Sequence, residues 1–257
     1  MIEKFKVIIT SLGRERQITV YLPENYANSS KAYPVLYMHD GQNLFEDNDA
    51  SFGVSWGIKD YLEQSGLELI IVGIDCNHAG YNRFNEYGPW INKDLARDLA
   101  GQDVNLGGEG EAYTGFIVEE LKPLIDCKYR TLPGETSMAG SSMGGLISTY
   151  AACKYPHIFR KIASLSSAYW FNQHEIEALI KDSDLSAIEK FYMDVGTKEI
   201  TASIHHQDYI DSSDNVYAIL KDKISDCRYE VIEDAEHNEA AWRKRVPEIF
   251  KYLYSSL

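Results

Sequence analysis

The sequence predicts an α/β protein: a mostly parallel central sheet with helices on both faces, built as one domain over residues 1–257. Three observations carry this. Short, wholly apolar runs recur along the chain, as in Val35-Leu36-Tyr37-Met38, and such runs fill strands that are buried on both sides. Stretches of helix formers separate these runs, so that strand and helix alternate from Val35 onward. No internal repeat, low-complexity tract or linker divides the chain.

In order, residues 5–10 and 17–22 flank a turn at Leu12-Gly13 and read as an antiparallel hairpin at a sheet edge, ended by Pro23. The strand at 35–38 stops at the polar loop His39-Asp40-Gly41-Gln42-Asn43. Open α/β sheets bind ligands at such carboxyl ends. Residues 55–64 read as helix stopped by Gly66, and 69–74 as a second apolar strand. From Asp75 to about Tyr113 the chain is polar and aromatic-studded, and reads as a long loop of the kind that is functional or mobile. Thr114 is placed to cap a helix over 115–127. In it Phe116, Ile117, Leu121 and Leu124 face inward, and Pro123 introduces a kink. Strands follow at 161–166, 191–195 and 229–232. Helices follow at 174–181, 209–221 and 240–253, the last despite Pro247.

Composition narrows the partners. The 257 residues are 44% hydrophobic and 25% charged, ordinary for a globular chain able to bury one large core. A net charge of −14 argues against nucleic acid or an anionic membrane, both of which demand a basic face, and favours a neutral or cationic small molecule. No stretch approaches the ~20 apolar residues of a membrane span, and the N-terminus lacks the apolar run of a signal peptide. Cys76, Cys127, Cys153 and Cys227 form no C-x-x-C pair and read as reduced thiols, mostly in the core, of a cytoplasmic protein. There is no G-x-G-x-x-G, P-loop, H-E-x-x-H or cysteine–histidine ligand set, so neither cofactor nor metal is expected. A homodimer is compatible with the sequence, which specifies no oligomeric state.

The chemistry centres on Gly140-Ser141-Ser142-Met143-Gly144, a G-x-S-x-G match between the small-residue strand Ser137-Met138-Ala139 and a helix from Leu146 to the stop at Pro156. A strand–turn–helix of this kind is a nucleophile elbow. Its glycines let strand and helix backbones pass closely, and the turn holds one hydroxyl in the open beside a helix N-terminus. In register the nucleophile is Ser142, and the next donor is the Met143 N–H.

A serine nucleophile needs a base, and the base needs a carboxylate to orient it, in the chain order Ser, acid, His for an α/β-hydrolase. His174, His205, His206 and His237 follow Ser142. His237 lies in the loop leaving the last predicted strand, where the base belongs. For the acid, Glu199 follows Gly196-Thr197 at the end of the preceding strand and is preferred. Asp194, Asp208 and Asp234 remain as alternatives. A second oxyanion donor is expected after the early strand, from the Gln42 N–H, with Gly41 giving freedom of approach. Two aromatic clusters, Tyr81/Phe84/Tyr87/Trp90 and Tyr169/Trp170/Phe171, are expected to frame the pocket. Substrate contacts are assigned to Tyr169, Trp170, Arg83 and Glu86.

The blocks Y-P-V-L-Y-M-H-D-G-Q-N-L-F, N-R-F-N-E-Y, G-S-S-M-G-G, Y-x-D-V-G-T-K-E and H-N-E-A-A-W, spread from Tyr33 to Trp242, closely resemble the landmarks of the Putative esterase family. That family includes feruloyl esterases, S-formylglutathione hydrolase and siderophore esterases. The resemblance implies an α/β-hydrolase fold and a serine carboxylic-ester hydrolase, with Ser142 as nucleophile, the acid at Glu199 and the base at His237. Feruloyl esterases usually carry Asp where Glu199 stands. Gly41-Gln42-Asn43-Leu44 replaces the G-L-T-C loop of the formylglutathione enzymes, which counts against that substrate. The aromatic walls suit an acylated carbohydrate or a hydroxycinnamate ester, and short-acyl esters also fit. An acyltransferase using the same residues, or a non-catalytic binding module on the same fold, are the competing readings.

Overall fold

In the computed structural model, residues 1–100, 105–201 and 204–254 are described. The elements run β1 (Ile2–Ile9), β2 (Arg14–Tyr21), β3 (Tyr33–His39), α1 (Ile58–Ser65), β4 (Ile70–Ile74), α2 (Asn82–Tyr87), α3 (Lys93–Ala100), α4 (Gly110–Phe116) and α5 (Lys122–Lys128). They continue with β5 (Thr131–Ser141), α6 (Met143–Lys154), β6 (Phe159–Leu165), α7 (Gln173–Asp182), β7 (Lys190–Lys198), α8 (His206–Leu220), β8 (Cys227–Glu236) and α9 (Glu239–Tyr254). The strands form one sheet in the order β1-β2-β4-β3-β5-β6-β7-β8. The hairpin β1–β2 and the β2–β4 pair are antiparallel, and every other pair is parallel.

Alternation along the strands splits the core in two. Val35 and Tyr37 of β3 face one cluster with Ile117, Ile125, Leu146 and Ile147, joined by Ile176 of α7 and Val216 of α8. Leu36 and Met38 face the other, against Ile58 and Leu62 of α1 and Val246, Ile249 and Phe250 of α9. Helices thus cover both faces, as the apolar runs require, and the loops at the carboxyl ends of the parallel strands open on one side. Among the described residues no helix is long and apolar enough to cross a membrane.

Two predicted segments differ. The helix expected at 115–127 begins at Gly110, and Thr114 does not cap it: its hydroxyl donates to the Gly110 carbonyl at 2.8 Å from within the helix. Between α4 and α5 a π turn over Ile117–Leu121 inserts one residue and rotates the helical turns after it. Ile125 therefore faces the core, and Leu124 is 41% exposed. Pro123 lies directly after the π turn, inside a helical run that continues from α4 into α5, so its missing N–H falls where the hydrogen-bonding register changes. The long segment after Asp75 is not a loop throughout. It holds α2, α3 and the start of α4, and residues 101–104 of it lie outside the described residues. Cys76 and Cys153 are buried, Cys227 partly so, and Cys127 is exposed; all four are free thiols.

Candidate active site

The G-x-S-x-G turn lies between β5 and α6. Ser142 has φ 58° and ψ −123°, a conformation that costs a non-glycine residue energy and must be held from outside. Its N–H donates to the Leu165 carbonyl at 2.9 Å. Its own carbonyl accepts from the N–H of Gly145 and of Ala168, both at 3.0 Å. A Cβ on Gly140 would stand 2.6 Å from the Gly144 backbone, so a side chain there would push α6 off the strand. Ser141, the end of β5, is buried, whereas Ser142 is partly exposed; both border a cavity of about 530 Å³.

The loop after β3 forms a second wall. Asp40 takes the left-handed conformation, φ 54°, and its N–H donates to the Tyr87 hydroxyl at 3.1 Å. Its carboxylate is gripped by Arg83 through Nε (2.7 Å) and Nη2 (2.8 Å). Burial alone would raise the Asp40 pKa, but the guanidinium outweighs it and holds the carboxyl below its usual range. Gly41 follows, where a Cβ would meet the Gly73 carbonyl carbon at 2.6 Å. The Gln42 side chain is occupied: its Oε1 accepts from the Cys76 N–H at 3.0 Å. The Gln42 N–H lies in the first turn of a one-turn helix and the Met143 N–H in the first turn of α6, so neither has an intrahelical acceptor.

The third wall comes from the last two strands. His237 Nδ1 lies 2.5 Å from Glu199 Oε2. The other carboxylate oxygen, Oε1, accepts from the Ser166 hydroxyl at 2.5 Å and the Gly196 N–H at 2.7 Å. Burial works against the Glu199 anion, but the donors His237, Ser166 and Gly196 outweigh it, and its pKa lies below the ordinary carboxylate value. An ionised carboxylate only accepts, so Nδ1 of a neutral His237 carries the proton and Nε2 is left as the basic nitrogen. Asn238 Oδ1 caps the first turn of α9 through the Ala241 N–H at 3.0 Å, which anchors the chain directly after His237. The Tyr209 ring lies 4.9 Å from that of His237, and the Trp242 ring packs edge-on at 5.2 Å.

Ser142, Met143, Gln42, His237, Arg83 and Trp170 all line the one cavity, as do Tyr81 and Phe84. Glu199 stands directly behind His237. Two expected substrate contacts do not reach the cavity. Tyr169 is fully buried, its hydroxyl 2.8 Å from Thr149 Oγ1 and 2.7 Å from Ser164 Oγ, because its backbone turns the ring beneath α6. Glu86 is fully buried as the partner of Arg16, at 2.8 and 2.9 Å, and of Arg14. Tyr87, Trp90 and Phe171 likewise sit behind the wall. Of the alternative acids, Asp194 is spent on Arg245 at 2.7 Å, Asp208 closes the first turn of α8, and Asp234 pairs with Lys198. Tyr209 on the cavity wall, and Ser166 and Arg245 behind Glu199, had no motif to mark them, and Glu239, also on the wall, lay inside the H-N-E-A-A-W block without being singled out.

A mostly parallel sheet with this strand–turn–helix elbow and these converging loops has α/β-hydrolase architecture. The family model described as Putative esterase matches residues 9–253, and the chain belongs to that family. Its relatives include the uncharacterized protein YbbA of Bacillus subtilis, 32% identical over 186 residues, 72% of this chain and 69% of YbbA. Among solved structures, an IroE-like serine hydrolase from Shewanella oneidensis superposes with a TM-score of 0.77 at 20% identity, over 99% of this chain and 80% of that one. The enterobactin esterase FES of Shigella flexneri gives 0.74 at 16% identity, over 99% of this chain and 60% of its own. At those identities the likeness is one of fold.

Proposed function

We propose that the esterase is a serine carboxylic-ester hydrolase working through an acyl-enzyme. The observation that carries this reading is the hydrogen-bonded order Glu199–His237 beside a partly exposed Ser142 on a strained turn in one cavity. Ser142 Oγ attacks the ester carbonyl carbon and gives its proton to His237 Nε2. The Gln42 and Met143 N–H groups receive the oxyanion, helped by the N-terminal end of α6. His237 returns the proton to the departing alcohol, then activates water, and Ser142 is released with the acid. Glu199 keeps Nδ1 protonated and balances the imidazolium formed in each half.

The substrate is a small, neutral or cationic ester with an aromatic or sugar portion. Tyr81, Phe84, Trp170 and Trp242 offer ring faces, and the only guanidinium that lines the cavity among the described residues, Arg83, is already neutralised by Asp40. Acylated carbohydrates and hydroxycinnamate esters meet this description; short-acyl esters fit with room to spare. Arg83 can still offer its remaining N–H edge to a substrate oxygen. The setting of use is the cytoplasm.

The direct test is Ser142→Ala beside Ser141→Ala, assayed on p-nitrophenyl acetate and by labelling with a fluorophosphonate. Ser142→Ala should lose at least about 10⁴ in kcat and all labelling. Ser141→Ala should retain most of both. Equal turnover by the two variants would overturn the reading.

A further inference from the structure

Resting on the serine-hydrolase reading, we infer that Ser166 is a positioning residue for the reaction: a hydroxyl whose proton is forced onto Glu199, and which thereby fixes how His237 is held. The backbone at Ser166 turns into the left-handed region, φ 44°, just after β6, and its N–H donates to the Asp194 carbonyl at 2.8 Å. The side chain is fully buried and meets three groups. Trp242 Nε1 lies 2.9 Å from Oγ, Arg245 Nη1 lies 3.0 Å from it, and Glu199 Oε1 lies 2.5 Å from it.

The direction of these bonds is fixed without seeing a hydrogen. An indole N–H and a guanidinium can only donate, and a serine hydroxyl has two lone pairs and one proton. Trp242 and Arg245 take the lone pairs, so the proton has one destination, the Glu199 carboxylate. With the Gly196 N–H at 2.7 Å, Oε1 then accepts two bonds, and Oε2 is left for His237. Arg245 does not do this itself. Its Nη2 stands 3.7 Å from Glu199 Oε1, beyond hydrogen-bond reach, so its charge acts across space while Ser166 makes the bond. Asp194 holds Arg245 Nη1 in place at 2.7 Å. The serine converts a cation and an indole into one directed donor.

The charged and titratable groups around the Glu199–His237 pair are Arg245 and Glu239 from α9, Asp194 and Lys198 from β7, His206 and Tyr209 from α8, Glu236 from β8 and Ser142 from the elbow. None of them can replace the lost hydroxyl proton where it stands. Removing it leaves the carboxylate less well solvated, so the pair takes up a proton at higher pH.

The experiment compares Ser166→Ala with Ser166→Gly, using pH profiles of kcat and KM on p-nitrophenyl acetate and thermal melts of each protein. Glycine adopts φ 44° without strain and alanine does not, but both lack the hydroxyl. Both variants should lose about tenfold or more in kcat, with KM within about twofold. The acidic limb of kcat/KM should move up by about half a pH unit or more in both. The inference is overturned if the glycine variant has wild-type kcat and limb, if glycine restores what alanine loses, or if the glycine variant cannot fold. Ser142→Ala run alongside separates the two levels. Were it active, the serine mechanism itself would fall; were it dead while Ser166→Gly behaved as wild type, only the role of Ser166 would.

Discussion

The end of β7 carries two buried carboxylates, five positions apart, with opposite electrostatics. Asp194, within the strand, is 1% exposed, and Glu199, in the loop just beyond, is 0% exposed. Burial pushes the Asp194 carboxyl up to about 6, and the charge of Arg245 offsets only part of it. The same burial acts on Glu199, yet donors from His237, Ser166 and Gly196 bring it below the ordinary value. Depth therefore does not decide ionisation here; the number of donors aimed at the oxygens does. The strand position serves stability, and the loop position has the solvation of an anion built in protein.

The sharpest way to break this contrast is to remove each charge in turn. Glu199→Gln should stay folded by circular dichroism and lose about 10² to 10⁴ in kcat, because the amide no longer holds the imidazole tautomer or its cation. If Asp194→Asn were the inactive variant and Glu199→Gln near wild type, the two roles would be exchanged. Asp194→Asn should instead show in urea denaturation, with a loss of about 3 kcal/mol from leaving Arg245 buried without its partner.

A third buried group extends the comparison. His39, whose Nδ1 lies 2.9 Å from the Tyr113 hydroxyl, is driven down to about 3 by burial, which outweighs the nearby Asp40. A depressed histidine leaves the folded state unable to take a proton that the unfolded chain accepts. The stability this gives is present above about pH 6.5 and is lost as pH falls toward about 3, at up to about 1.4 kcal/mol per pH unit. His39→Gln should flatten that slope in chemical denaturation series between pH 4 and 6.5; an unchanged slope would assign the acid sensitivity elsewhere. Smallest of all should be Glu199→Asp, which keeps the charge but shortens its reach. About a tenfold loss in kcat, with the fold unchanged, is expected.

Much of the fold was legible because it is written locally. The apolar runs at Val35–Met38 and 69–74 are strands, and the sheet is mostly parallel with helices on both faces, as their alternation with helices implied. The π turn was not legible, since one extra residue per turn leaves no compositional trace, and regular helical spacing turns Leu124 inward for that reason. Around the cavity, Ser142 and His237 could be marked by a glycine pattern and by their place after a strand. Glu86 and Tyr169 were drawn to the pocket by residue type alone. Arg16 and the Thr149–Ser164 hydroxyls, which claim them, come from other elements of the fold. Ser166 and Arg245 carry no local signature, because their arrangement exists only once β6, β7 and α9 are packed.

The sheet order also has a consequence for how the enzyme would fail. Ser142 and the Gln42 loop hang from β5 and β3, with strands on both sides, whereas Glu199 and His237 hang from β7 and β8, and β8 is an edge with Val231 49% exposed. Edges open more readily than centres, at a fraction of the free energy of global unfolding. Fraying of that one strand would draw His237 away from Ser142 while circular dichroism still reported a full complement of helix. Turnover is thus a gauge of the outermost ladder, and inactivation on warming should run ahead of melting.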